Sequence, residues 1–569
     1  MKKIVFLFPI IALIFVSVPL LGSQFFTIHD DQQIARIYLL TEAISAGQFP
    51  VRWVNHLGFG FGYPLFIFYP PLIYYLGSAL FSFGFSLIMS VKIIIFISFF
   101  LSLLGMYFLL KQFFSKNISI ICSSIYILTS YRAVDIYVRG ALSEAFSFVF
   151  LPLIFLFILN IFKSQKRKDL VFLSLSFAGL ILTHTLTALG FLPFIFFWII
   201  FLIIKNKKIK PIVISLSALA IGVGVSCFAA LPSILEKKFT LVDGLLLTEL
   251  ADYRIHFVYL RQLWSSVWGY GGSLPQLNDG LSFEIGKLLI ICLLFVLAFS
   301  LISIYKTRKF PVFFVFPIFL LISVFMTVKY SKPLWIIFPP LAYLQFPWRF
   351  LTFVTFFTPF VFAIFVNFVS TINKKIVPLL LTFIFVISVL EVFGRFQPKE
   401  LVNLNDSDYL TKQRLDWATS RSSFEYIPKG VKTKISPDNT TIPDIDPDSL
   451  PQTEASVLLG QAIIKEEVSQ PGKQKYKITT KDSAVVQFST FDFPGWKARV
   501  NGQSAEINSE NSLKLITINV PSGDSEVELH FTRTPVRTIS EIISLLSLLL
   551  LVLILLPIFN KNVINRRFN

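Results

Sequence analysis

The sequence predicts an α-helical polytopic membrane protein, a bundle of about 12 spans, with a small external β-sandwich near the C-terminus. Three observations carry that prediction. Of 569 residues, 54% are hydrophobic and only 15% are charged, and 65 are phenylalanine; soluble domains carry about 25% charge. The apolar residues fall in runs that approach or exceed the roughly 18 that mark a spanning helix. Lysines and arginines gather in short clusters between those runs, and from about residue 455 the pattern changes to alternating short segments.

The basic clusters fix a topology, because cytoplasmic loops of membrane proteins are enriched in Lys and Arg. Lys2-Lys3, Lys111 with Lys116, Lys163 to Lys168, Lys205 to Lys210, Lys306 to Lys309, Lys374-Lys375 and Lys561 to Arg567 read as cytoplasmic segments. Keeping all of them inside requires two crossings in each interval. The runs near 4–22, 91–110, 117–130, 143–162, 170–186, 190–204, 211–231, 285–305, 311–328, 350–372, 376–394 and 538–559 supply them, with both termini cytoplasmic. The first run lacks a small-x-small cleavage site and reads as an uncleaved span. A further apolar interval, 64–86, would invert everything downstream if it crossed; Pro64, Pro70 and Pro71 mark it instead as a broken element, re-entrant or lying along the membrane.

The net charge of +18 belongs to these clusters and not to one face of a soluble domain, which argues against a nucleic-acid partner. Cys122, Cys227 and Cys292 all lie in apolar runs and imply neither a disulfide framework nor a metal site.

Four external segments follow, at about 23–90, 131–142, 232–284 and 395–537. The domain plan is a transmembrane unit over 1–394, a linker rich in Asp, Pro, Ser and Thr over 395–454, a β-rich domain over 455–536, and a final span with a basic tail over 537–569. Within the β-domain, Pro471-Gly472, Pro494-Gly495, Asn501-Gly502 and Ser522-Gly523 separate the strand-like runs, and Asn-Gly is a strong hairpin signal.

Chemistry concentrates in the first external loop. His29-Asp30-Asp31 follows the first span. Adjacent carboxylates at a membrane surface can offer one oxygen to a metal and another to a substrate proton; the plainer reading is a solvated pair that ends a helix. Downstream lie Phe49-Pro50-Val51-Arg52-Trp53, then Gly58 to Pro64, then Phe66 to Tyr75 with Tyr69 at its centre. That density of glycine, proline and aromatic residues describes a shaped loop on the bilayer. Its aromatic faces suit sugar rings or an interfacial belt.

The acidic pair, the Pro-Pro-Leu-x-Tyr-Tyr segment and their order resemble the GT-C superfamily of membrane glycosyltransferases. More narrowly, HDD, FPVRW, GFGYPLFIFYPPLIYY, YVRGALSEA at 137–145, THTLTAL at 183–189 and QFPWRFL at 345–351 resemble bacterial membrane proteins catalogued as 6-pyruvoyl-tetrahydropterin synthase-related. FPGWKARVNG at 493–502 is similar to the external β-domain of a related family. No His triad that would hold zinc for pterin synthesis is present.

The resemblance implies a GT-C-like bundle and transfer of a sugar from a polyprenyl-phosphate carrier to an envelope glycan, lipid or protein. In that reading Asp30 is base or metal ligand, with Asp31 as its neighbour. Asp135 completes a site for a divalent cation (magnesium or manganese), or else pairs with Arg132 or Arg139. Arg349 holds the carrier phosphate, with Arg139 and Arg52 as further candidates; the alternative is that Arg349 snorkels to the headgroups. His29, Trp53, Tyr69 and His184 are candidates to face substrate or acceptor, and the plainer role of His184 is a hydrogen bond between helices. The chain has neither a P-loop lysine after Gly269 to Gly272 nor a Rossmann fingerprint. A lipid-linked donor therefore fits better than a nucleotide sugar. The rival functions are a flippase for lipid-linked saccharides, disfavoured by spans nearly free of charge, and a non-catalytic scaffold with a glycan-binding β-domain.

Overall fold

The structure, a computed structural model, describes residues 4–246, 252–277, 279–307, 312–436 and 440–556. Lys2-Lys3, Arg308-Lys309 and the Lys561 to Arg567 tail lie outside them. Among the described residues, 7 helices are long and apolar enough to cross a membrane: Leu87–Leu110, Leu142–Ser164, Thr185–Asn206, Lys210–Phe239, Lys287–Tyr305, Pro347–Ile372 and Pro535–Leu555. The other predicted runs hold shorter helices, at Leu7–Leu20, Val315–Thr327 and Val377–Glu391, and at Lys116–Ile127 and Arg167–Thr183. Several candidate spans are thus present, while the figure of 12 counts apolar runs and not helices of full spanning length.

The 64–86 interval breaks at its prolines into Leu65–Phe68 and Leu72–Ser82. The second piece has 11 residues, about 16 Å of helix against roughly 30 Å of hydrocarbon.

Phenylalanine packs the centre of the helical unit. In lipid no hydrophobic force draws helices together, so close complementary contact must do so. Phe353, Phe356 and Phe360 of the Pro347–Ile372 helix meet Phe191, Phe155 and Phe316 with ring centroids 5.6, 5.2 and 3.8 Å apart. That helix is 78% buried over its apolar window, against 17% for Pro535–Leu555 on the periphery. The peripheral helix is held by small residues instead: Ser544 donates to the Gly224 carbonyl at 3.0 Å.

The β-domain comprises β1 (Ala455–Leu459), β2 (Ala462–Gln470), β3 (Lys473–Thr480), β4 (Ala484–Phe491), β5 (Trp496–Val500), β6 (Gln503–Ala505), β7 (Leu515–Val520) and β8 (Gly523–Phe531). One sheet runs β6-β5-β8-β3-β2 and the other β7-β4-β1. Their inner faces meet at Tyr476 and Phe488, centroids 4.9 Å apart. Pro471-Gly472 and Asn501-Gly502 make hairpins within the first sheet, while Pro494-Gly495 and Ser522-Gly523 carry the chain from the second sheet to the first.

Two features tie the parts together. Buried Arg537, at the head of the last helix, pairs with Glu236 at 2.9 Å and donates to the Pro494 carbonyl at 2.7 Å. The segment expected as linker holds short elements of its own: Leu401–Val402 pairs with Phe25–Phe26, and Thr433–Ile435 with Thr441–Pro443. Between them, residues 414–426 pack on the first loop.

Candidate functional site

The first loop meets the 131–142 loop at a glycine. Gly140 has φ +67°, and a Cβ there would lie 2.4 Å from Ile28 Cδ1; only glycine permits both the conformation and the approach. The two segments then clasp: the His29 amide donates to the Val138 carbonyl at 3.2 Å and the Asp30 amide to the Arg139 carbonyl at 2.8 Å. This puts the acidic pair directly against the second loop.

Behind the clasp sits a buried charge cluster. Arg139 Nη1 reaches Asp135 at 2.8 Å and Glu144 at 2.9 Å. Glu144 also accepts from Tyr131 at 2.7 Å and Thr352 at 2.9 Å, and Arg349 Nε lies 3.9 Å away. The Trp348 ring covers the Arg139 guanidinium at 4.8 Å. Burial pushes the Asp135 carboxyl well above its usual range, and the charge of Glu144 adds to that; among the described residues its Oδ2 has no hydrogen-bond partner. Asp135 thus takes the pairing with Arg139, while Arg132 donates instead to the Ala145 carbonyl at 2.7 Å and Ser98 at 3.3 Å.

Asp30 is different. It is half-buried, its charge acts on Asp135, Arg139 and Glu425, and among the described residues its carboxylate makes no ion pair. Asp31 turns outward to Arg414 at 3.4 Å; burial raises its carboxyl, partly offset by that arginine. His29 Nε2 contacts the Tyr270 carbonyl at 2.9 Å. Arg36, in the helix Gln33–Ser45, is buried, donates to Tyr74 at 3.3 Å and Ser423 at 3.0 Å, and lies 4.1 Å over the Tyr69 ring.

The remaining expectations divide. Arg349 stands at the cluster, held by the Leu344 carbonyl at 2.9 Å and Gln345 at 3.2 Å, and is turned inward rather than to headgroups. His184 caps the helix Thr185–Asn206, accepting from the Thr187 amide at 3.3 Å. Arg52 is engaged elsewhere, on the Phe228 carbonyl at 2.7 Å and Glu541 at 3.3 Å, so it braces the last helix and is no part of the cluster. Trp53 offers no sugar platform. Its ring is fully buried against Trp496 at 5.3 Å and Phe531 at 5.1 Å, and Gly62 makes room for it, since a Cβ there would meet the indole at 2.6 Å. Of the three carboxylates expected at a cation, Asp135 faces Arg139 and Asp31 faces Arg414, while Asp30 makes no ion pair among the described residues; there no three His, Cys, Asp or Glu side chains gather as a metal group.

The sequence reading passed over Glu144, Arg36 and Glu425. A single acid inside the apolar run 143–162 was the available signal for Glu144, since a charge among lipid-facing residues calls for partners. Arg36 and Glu425 had no local signal.

Fold and site together define a membrane protein with several candidate spans, in which a buried charge cluster lies beside Asp30, a carboxylate that makes no ion pair among the described residues. The chain belongs to the family of membrane proteins with a 6-pyruvoyl-tetrahydropterin synthase related domain, whose model matches residues 66–398. It is also similar to an "Uncharacterized protein" of Lactococcus lactis subsp. cremoris (strain MG1363), 27% identical over 291 residues that cover 48% of this chain and 45% of that relative.

Proposed function

We propose that the protein is an inverting membrane glycosyltransferase that moves a sugar from a polyprenyl-phosphate carrier to an envelope glycan, lipid or protein. One observation carries the reading: Asp30, clamped by its backbone to Arg139, makes no ion pair among the described residues, beside a cluster whose other charges are paired. A carboxylate so placed is free to take a proton.

In the step itself, the acceptor hydroxyl gives its proton to Asp30. Its oxygen forms a bond to the anomeric carbon while the bond from that carbon to the phosphate oxygen breaks, and the carrier leaves as polyprenyl phosphate. Arg349, with Arg139 behind it, supplies positive charge where the leaving phosphate gains negative charge. Tyr69, half-buried with its ring under Arg36, stays in the proposal as an acceptor contact, and His29 as a residue of the rim. A divalent cation has no role in this step, because two of its three expected ligands, Asp31 and Asp135, face arginines.

The fuller architecture is also proposed: twelve crossings in a GT-C-like bundle of the cytoplasmic membrane, both termini inside and the β-domain outside. The basic clusters support it.

The test is mass spectrometry of polyprenyl-phosphate sugars in native membranes. Asp30→Asn should abolish transfer and let one such lipid accumulate while the protein stays folded. Full activity in that variant would sink the assignment.

A further inference from the structure

At the charge cluster, where several helix ends meet, two hydrogen-bond donors have no partner among the described residues. One belongs to His184, which ends the helix Arg167–Thr183 and begins Thr185–Asn206. Glycines set how both helices pack. A Cβ at Gly179 would strike the Phe150 ring, and one at Gly190 would lie 2.9 Å from Phe353 and 4.0 Å from Leu344. The first helix thus closes on Leu142–Ser164, whose first turn holds Glu144, and the second on the 344–353 stretch that carries Arg349. His184 sits between them, and the charges of Glu144, Arg349 and Arg139 all act on its ring.

The cap fixes the tautomer. A main-chain amide can only donate, so Nδ1, which takes the Thr187 amide at 3.3 Å and the Thr187 hydroxyl at 2.6 Å, holds a lone pair. The capping imidazole is therefore neutral and carries its proton on Nε2. The ring is half-buried. Nε2, on the edge away from Nδ1, is not enclosed and makes no hydrogen bond among the described residues.

Arg349 is spent in the same partial way. Its Nη1 donates to the Leu344 carbonyl and to Gln345, and its Nε lies 3.9 Å from Glu144. Its Nη2 is not enclosed and makes no hydrogen bond among the described residues. A neutral N–H and a guanidinium N–H at one place suit anionic oxygens. The approach adds a second requirement. Ile336, Ile337 and Phe338, a short way before Arg349, are exposed and apolar, which suits a ligand whose remainder is a hydrocarbon chain.

We infer that His184, as a neutral imidazole, donates its Nε2 proton to the phosphate of a lipid-borne carrier beside Arg349. The inference rests on the transferase reading for the identity of that carrier.

The test places the full chain in nanodiscs doped with polyprenyl phosphate, the product that the proposed reaction releases, and measures retained lipid by native mass spectrometry. Wild type should retain polyprenyl phosphate in preference to polyprenol, and an excess of inorganic phosphate should not displace it. His184→Asn keeps the cap, since Asn is among the best N-cap residues, but ends short of the Nε2 position. Its retention should fall about 10- to 100-fold, the worth of one hydrogen bond to a charged group, with the melting temperature unchanged. His184→Gln brings an amide N–H to the Nε2 position and gives up the cap, so it should melt lower yet retain more lipid than His184→Asn. A residue that only caps its helix predicts wild-type retention in His184→Asn, and that result overturns the inference. So does a folded His184→Gln that retains no more than His184→Asn, or displacement by inorganic phosphate. If wild type shows no preference for polyprenyl phosphate over polyprenol, the carrier reading fails as well. A preference that His184→Asn leaves intact sinks this inference alone.

Discussion

Glu144, in the first turn of the Leu142–Ser164 helix, and Asp30, in the first loop, are carboxylates of one site that live under opposite conditions. Glu144 is buried and has four partners, Tyr131, Arg139, Thr352 and Arg349. Asp30 is half-buried and makes no ion pair among the described residues. The first spends its charge on holding three segments together. The second keeps its charge available, in a place shaped by the first. The difference separates what a charge does for the fold from what it does for a substrate, although both residues look alike in the sequence.

That contrast can be broken most directly at Glu144. Glu144→Ala leaves Arg139 and Arg349 buried and short of a partner, a change that costs about 3–5 kcal/mol. Thermal unfolding in nanodiscs should show a large loss of stability. Asp30→Asn should show the reverse pattern, with transfer abolished, a loss of at least roughly 10²–10⁴, and stability moving by less than about 0.5 kcal/mol. Equal destabilisation by the two would end the comparison.

Arg349→Lys sharpens it from the other side. A lysine keeps the charge but loses the planar fork. With one charge-assisted hydrogen bond worth about 1.5–3 kcal/mol, transfer should fall about 10- to 100-fold with little change in stability.

The smallest effect belongs to Asp31. Its folded pKa is raised above the unfolded value by burial, so ionising it opposes folding: its contribution is fully present below the ordinary carboxylate range and is lost as pH rises through the raised value. Asp31→Asn should flatten the dependence of melting temperature on pH across that window, slightly and without touching transfer. A steeper profile in the variant would mean that the Arg414 pair, at 3.4 Å, outweighs burial.

The helices and the β-domain were legible because their signals are local. An apolar run, a proline break or an Asn-Gly turn acts on its own few residues, and 64–86 breaks at Pro70-Pro71 as those residues require. The site was half legible. HDD and VRG stand out as motifs, and the clasp between them depends on Gly140. The partners that decide each charge are distant. Arg36 finds Ser423, in a stretch whose Asp, Pro and Ser content reads as linker, and Arg52 finds Glu541, in the last helix, each hundreds of residues along the chain. Arg52 and Trp53 looked like binding residues because they are polar or aromatic in a loop. Burial against the β-domain and the last helix is a property of the whole fold.

The packing of Trp53 on Trp496 and Phe531 also sets a timetable. The loop that carries Asp30 is among the first parts of the chain to be made, yet the surface that encloses its tryptophan arrives with β5 and β8. About 440 residues must be synthesised in between, which at roughly 5–20 residues per second takes on the order of a minute or less. Through that interval Trp53 has no enclosing partner, and the Asp30 loop is completed only when the last strand docks. A ribosome stalled before β8 would leave a membrane-inserted bundle with its acidic pair in place and its loop unfinished, so the final strand times the assembly of the site as well as the closure of the β-domain.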